Sequence, residues 1–273
     1  MSVIPNPTLK RLREGKLALG FGAYHLRTSA AAMLTHAIGY DWLFIDTEHG
    51  AFTVQEASQM SYAAIPLGIT PIVRICAGAL DEGTRALDNG AMGIVVPHVD
   101  TGAQAARITD AFRFPPMGRR SWGAPPAAFL YGGPPMGEAQ AVLNREILIC
   151  VMIESAEAVA NAGDIAATEG IDVLMIGTAD LTTELGIPGQ WGHEKVQDAY
   201  RRVGAACRKY GKFAAAGGLG DPDWAAHYIR GGVHMILAGT DHRMIMEAGA
   251  RHAAFYRGLE GKGAAAAPKA KRG

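Results

Sequence analysis

The chain has 273 residues, with 26 basic and 26 acidic side chains and a formal net charge of zero. That length suits one large domain or two small ones, and the neutral balance excludes the strong basic bias of a nucleic-acid binder. Nearly half of the residues are apolar and 35 are glycine, a composition expected where many short loops join helices to strands.

The opening residues, MSVIPNPTLKRLREG, lack the apolar run of a signal peptide. No stretch approaches about 18 uninterrupted apolar residues, so no membrane span is expected. A cytoplasmic protein with neither membrane nor nucleic-acid partner is the resulting expectation. Short apolar runs then alternate with amphipathic stretches. Strands are predicted at 17–21, 42–46, 70–74, 93–96, 147–153, 173–176, 213–216 and 234–238. They are rich in Val, Ile, Leu and Ala and do not alternate cleanly with polar residues, as strands buried on both faces read.

Helices are predicted between them at 28–38, 53–65, 81–89, 101–111, 155–168, 194–209, 222–230 and 241–257. Thr53, Thr101 and Ser155 stand where N-caps belong, and Gly39, Gly90, Gly170 and Gly231 where helices stop. Strand–helix alternation repeated about eight times implies a parallel sheet. Closure into a (β/α)8 TIM barrel over residues 1–260 is the simplest topology, with an open doubly wound sheet as the alternative. Two segments break the rhythm. Residues 114–137 are dense in Pro and Gly and too long for an ordinary connection, so a functional or oligomer-contacting loop is expected there. Residues 261–273, GKGAAAAPKAKRG, read as a disordered basic tail. Cys76, Cys150 and Cys207 show no CxxC pairing and read as buried or half-buried thiols.

In a parallel barrel the chemistry gathers at the C-terminal strand ends. Asp46, Glu48 and His49 follow the second strand, Arg74 ends the third, Glu154 follows the fifth, and Asp180 lies just past the sixth. Glu154 and Asp180, on neighbouring strands, suit a hard divalent ion such as Mg2+, or Mn2+; the alternative is that either caps the following helix. His49 suits a general base, or a hydrogen-bonded structural role. Arg74 suits a carboxylate or enolate oxygen, or a salt bridge. Asp88 by itself is an ordinary polar helix residue. Gly217, Gly218 and Gly220 offer close backbone approach, a weak signal alone.

Six stretches, in order, resemble the HpcH/HpaI aldolase/citrate lyase family, and within it the metal-dependent class II pyruvate aldolases. They are YDWLFIDTEHG at 40–50, PIVR at 71–74, GIVVPHVDT at 93–101, RFPPMGRRSWG at 113–123, VMIES at 151–155 and IGTADLTTELGIPG at 176–189. The likeness runs from about Leu17 to Ala250. It implies a divalent metal (Mg2+, Mn2+ or Co2+) on Glu154 and Asp180, proton transfer by His49, and Asp88 as the acid that raises the basicity of that histidine. It places Asp46 and Glu48 in the same motif, gives Arg74 to the enolate, and brings Gly177, Ala179 and Asp180 to the carboxylate of the oxo acid.

The implied reaction is reversible cleavage of a 4-hydroxy-2-oxo acid into pyruvate, or hydroxypyruvate, and an aldehyde. The rivals are a citrate-lyase-like or malyl-CoA-lyase-like enzyme and a non-catalytic oxo-acid binder. The family also implies a homo-oligomer, a hexamer, with the last helix exchanged between subunits. Three departures stand out. Thr178 replaces a frequent proline, Met152 replaces a frequent glutamine, and the loop after the first strand reads Tyr24-His25-Leu26-Arg27 where Trp is common. His25 and Arg27 are expected to greet a polar or anionic aldehyde, and Met152 to replace a polar contact with the substrate.

Overall fold

A computed structural model describes residues 5–123 and 127–260. A short helix, α1 (Pro7–Arg13), precedes the first strand, β1 (Ala18–Ala23). There follow α2 (Ala30–Ala37), β2 (Trp42–Asp46), α3 (Val54–Ala64), β3 (Thr70–Arg74), α4 (Leu80–Asp88) and β4 (Gly93–Val96). The next turns of the chain are α5 (Gly102–Phe112), α6 (Met136–Glu146), β5 (Leu148–Ile153), α7 (Ala156–Ala160), α8 (Ala162–Ala167) and β6 (Val173–Gly177). The last are α9 (Thr178–Glu184), α10 (Glu194–Tyr210), β7 (Phe213–Gly217), α11 (Pro222–Arg230), β8 (Met235–Thr240) and α12 (Asp241–Arg257). The eight strands close in sequence order into a barrel, β8 pairing with β1, and every pairing is parallel. The open sheet is thereby excluded.

The predicted strands are all present, within two residues at each end. Helix starts at Thr53 and Thr101 are capping boxes, in which the threonine oxygen accepts the N3 amide while Glu56 or Gln104 reaches back. Ser155 caps α7, accepting the amide of Ala158 at 2.9 Å. Gly39, Gly90 and Gly170 carry positive φ, but Gly231 does not; at that corner the left-handed residue is Gly232. The helix predicted at 155–168 is broken at Asn161 into α7 and α8. The segment 114–137 is not all loop, because a 3-10 turn occupies Ala127–Phe129 and α6 begins at Met136. Cys150 and Cys207 are buried as expected, whereas Cys76 is exposed. The tail expectation at 261–273 lies outside the described residues.

Two apolar layers result. Inside the barrel, alternate residues of the strands, such as Trp42, Phe44, Val95, Cys150, Met152 and Met175, pack on one another. Their neighbours Leu43, Ile45, Ile149 and Leu174 point outward to the helices. Gly20 makes the lumen possible, because a Cβ there would fall 2.1 Å from a ring carbon of Trp42. The N-terminal mouth is plugged by Leu9 and Leu12 of α1. Asn6 pins that plug, donating to the carbonyls of Met92 and Glu146 at 3.0 and 2.9 Å. The other mouth is therefore the one open to a ligand.

Candidate active site

The C-terminal mouth holds a cavity of about 240 Å3, lined by Tyr24, Phe44, His49, Arg74, Met152, Met175, Gly177, Ala179, Asp180, Gly217, Gly218 and Leu237. Larger hollows lie on the flanks, one of about 460 Å3 between α10 and α11. That one lies toward the plugged face; two others, of about 450 and 330 Å3, border the ends of β8 and β4 but lie between α11 and α12 and between α4 and α5, and none of the three is lined by His49, Arg74 or Asp180. The mouth cavity is below the range of about 300–1,000 Å3 typical of drug-sized ligands, so it suits a small metabolite and not a nucleotide.

One wall is a charged cluster set by strand register. Asp46 and Arg74 end β2 and β3 as direct partners. Nε of Arg74 donates to Oδ1 of Asp46 at 2.9 Å and Nη2 to Oδ2 at 2.5 Å, while Nη1 lies 3.2 Å from Glu48. Asp46 Oδ1 also accepts the amides of Glu48 and His49, at 3.1 and 3.2 Å. The buried carboxylate thus folds the 47–49 turn and sets His49 over the cavity. A bidentate, buried pair of this kind fixes geometry more than it adds net stability. Arg74 thus makes the salt bridge that was one of its two sequence readings, and it also lines the cavity.

The facing wall carries Glu154 and Asp180. Glu154 does not cap a helix, since Ser155 does. Its Oε2 accepts the amide of His98 at 3.0 Å and lies 3.3 Å from the His98 ring. Burial pushes the Glu154 carboxyl up to about 7; the His98 amide and ring oppose this, and the charge of Asp180 adds to it. Gly177 makes room, because a Cβ there would fall 2.2 Å from Oε1 of Glu154. A glycine kept clear for a carboxylate, beside a second carboxylate, fits a divalent cation whose remaining positions go to water and ligand. Among the described residues no group of three His, Cys, Asp or Glu side chains is arranged around one point, so the protein's own share of such a site is these two carboxylates. Thr178, in the place of the frequent proline, is buried and hydrogen-bonds the hydroxyl of Tyr200 at 2.8 Å, tying the start of α9 to α10.

The loop after β1 departs from expectation. His25 and Arg27 are exposed and do not line the cavity; Tyr24 does. The cause is Asp241, at the start of α12, whose Oδ2 accepts the amides of Tyr24, His25 and Leu26 at 3.0, 2.7 and 2.8 Å. That clamp turns Tyr24 inward and leaves His25 edge-on to His242, 5.4 Å between ring centres. Met152 lines the cavity as an apolar wall. Gly217 and Gly218 also line it, and the positive φ of Gly218 carries the chain past Ala179, whose amide would lie 3.0 Å from an added Cβ.

Asp88 is not brought to His49 within one chain. It ends α4, which runs back toward the plugged face, and it pairs there with Arg120 at 2.6 Å. Nine helical residues separate the two ends of α4, about 13 Å at 1.5 Å per residue. Sequence reading missed Arg120, a buried guanidinium over the Phe114 ring at 4.8 Å. Two of its nitrogens find no hydrogen-bond partner among the described residues. It also missed Tyr24 and Asp241, although each stands at a strand end, the one positional signal available.

Comparison with known proteins agrees with this geometry. A family model described as HpcH/HpaI aldolase/citrate lyase matches residues 24–248. The chain is 34% identical over 253 residues to a 4-hydroxy-4-methyl-2-oxoglutarate aldolase of Hapsidospora irregularis, covering 90% of this chain and 92% of that one. It is also 34% identical over 251 residues to a 2-keto-3-deoxy-L-rhamnonate aldolase of Shigella boydii, covering 90% and 91%. The crystal structure of an HpcH/HpaI aldolase from Desulfitobacterium hafniense superposes with a TM-score of 0.87 at 26% identity, over 93% of this chain and 97% of that one. With its strand-end residues, its barrel and these relatives in agreement, the chain belongs to the HpcH/HpaI aldolase/citrate lyase family.

Proposed function

We propose that this chain, a carbon–carbon lyase of the aldehyde-lyase class by its relatives, cleaves a 4-hydroxy-2-oxo acid into pyruvate, or hydroxypyruvate, and an aldehyde. The observation that carries this reading is the opposition of two walls across one small cavity. His49 and Arg74 line one, backed by Asp46 and Glu48; Asp180 lines the other, with Glu154 directly behind Gly177. A divalent cation, Mg2+, Mn2+ or Co2+, would be held by Glu154 and Asp180 and would set positive charge against the oxygens of the oxo acid.

The residues of the chain do the rest. Arg74, held flat by Asp46 and Glu48, presents a fixed cation to the pyruvate half, where negative charge builds. His49 takes the proton of the C4 hydroxyl. The C3–C4 bond then breaks, the C4 oxygen becomes the aldehyde carbonyl, and the electron pair left on C3 of the pyruvate half takes up the proton held by His49, which gives pyruvate and returns the imidazole to its starting state. Gly177, Ala179 and Asp180 offer backbone to the carboxylate end. Met152, Phe44 and Leu237 exclude water. The cavity is sized for the oxo acid and a short aldehyde, which favours the aldolase over the malyl-CoA-lyase-like alternative.

Exchange of the pyruvate methyl protons in deuterated buffer tests the reading. Exchange is expected with added Mg2+, Mn2+ or Co2+, and is expected to stop with chelator and in His49→Ala. Exchange absent under every metal would leave a binding protein in place of a lyase. Exchange that survived chelator and was trapped by borohydride would point to a Schiff base.

A further inference from the structure

Tyr24 opens on the cavity, and nothing in the proposed cleavage uses it. Its placement is built from several sides. Asp241 holds its amide at 3.0 Å. Its ring lies 6.3 Å from that of Phe44 and edge-on to His242 at 5.4 Å. Gly22 leaves the space behind it, since a Cβ there would lie 3.1 Å from the ring. The hydroxyl is therefore presented at a fixed place and not on a free arm.

The order of the closed barrel says where that place is. With eight strands joined in sequence order, β1 lies diametrically across from β5, and β6 is next to β5. Tyr24 follows β1, whereas Glu154 follows β5 and Asp180 follows β6. The oxo-acid head is assigned to the β5–β6 side, so the far half of the substrate lies toward Tyr24. Resting on the aldolase reading, we propose that the Tyr24 hydroxyl donates a hydrogen bond to the C4 oxygen of the substrate, the oxygen that becomes the aldehyde carbonyl.

In cleavage this oxygen gives its proton to His49 and carries negative charge until the C3–C4 bond has broken. In the addition direction it gains that charge as the bond forms. A donor aimed at it acts in both directions and is not itself consumed. Tyr24 is suited to donate and not to act as a base. Burial, with Asp46 adding to it and Arg74 opposing, pushes its phenol up to about 12, so it keeps its proton at neutral pH. Neither His25 nor Arg27 reaches the cavity to take this role.

The test compares two half-reactions in the metal-loaded enzyme. Pyruvate has no C4 oxygen, so exchange of its methyl protons does not meet Tyr24, whereas cleavage does. The cleavage substrates are the racemic adducts of pyruvate with acetaldehyde, glycolaldehyde and lactaldehyde. Tyr24→Phe is expected to lower cleavage kcat on the order of 10²-fold, the usual cost of one such donor. Exchange, and the calorimetric Kd for oxalate, are expected to stay at the wild-type level. Cleavage at the wild-type rate would overturn the proposal. So would an equal fall in cleavage, exchange and oxalate affinity, because Tyr24 would then merely shape the cavity. A wild type that neither exchanges nor cleaves would overturn the aldolase reading and this proposal with it.

Discussion

Gly177 decides by the absence of a methyl group whether Glu154 can stand at the cavity. A Cβ there would meet Oε1 at 2.2 Å and Cγ at 2.6 Å, and Glu154 sits too deep to yield freely. We expect Gly177→Ala to fold, at a cost of about 1–3 kcal/mol for overpacking. Its affinity for Mn2+, measured calorimetrically, should fall by about 10–100-fold, as when a ligand's support is lost. Unchanged affinity would remove Glu154 from the metal site. Arg74→Lys should be costly in a different way, because an ammonium cannot bridge both oxygens of Asp46 and reach Glu48. Asp46, Arg74 and Glu154 could be read from the sequence because each is a charge ending an apolar strand. The reach of Tyr24 could not, because the strand pattern does not say which residue of the next loop turns inward. That choice belongs to Asp241, some two hundred residues away in the chain.

The clamp on the β1–α2 loop is a property of an element, and it has a pH signature. Asp241 is buried and accepts amides from Tyr24, His25 and Leu26 on one oxygen and from His242 on the other. Burial alone would raise its carboxyl, but the four amides outweigh it and hold the group below its ordinary value of 3.8. Its folded value is depressed, so the stabilisation is complete above the ordinary value and drains away as pH falls through the lower folded one. Unfolding free energies from urea titrations of the wild type and Asp241→Asn should therefore differ by about 2–3 kcal/mol near neutrality and draw together as the pH falls from 3.8 through the lower folded value. A gap that stayed constant into acid would show that shape and not charge sets the clamp. Element bounds were legible where caps and apolar runs coincide, as in α3, α5 and β2–β4. Missed were α1, which begins on Asn6-Pro7, α6, hidden in a Pro/Gly-rich segment, and α9, which starts without a side-chain cap directly after β6. Each lacks the long apolar period that announces a helix.

At the scale of the whole molecule, one face is unfinished. In α12 only Asp241 is buried, while Ile245, Met246, Phe255 and Tyr256 are each at least 60% exposed. Met33, Leu34 and Ile38 of α2 and its end are exposed as well. Apolar side chains gain about 1.5–3 kcal/mol each on full burial, enough together to offset much of the cost of association. A homo-oligomer, a hexamer with α12 exchanged between subunits, is the proposal that covers them. The same assembly would resolve Asp88. Within a chain it sits at the plugged face, a helix length from His49, so it can serve that imidazole only from a second copy. Subunit mixing decides this. His49→Ala and Asp88→Asn homo-oligomers should each be nearly inactive. Dissociated, mixed and reassembled together, they should regain activity, because some cavities then combine a native His49 with a native Asp88. No recovery in mixed assemblies, confirmed as mixed by native mass spectrometry, would confine Asp88 to its ion pair with Arg120.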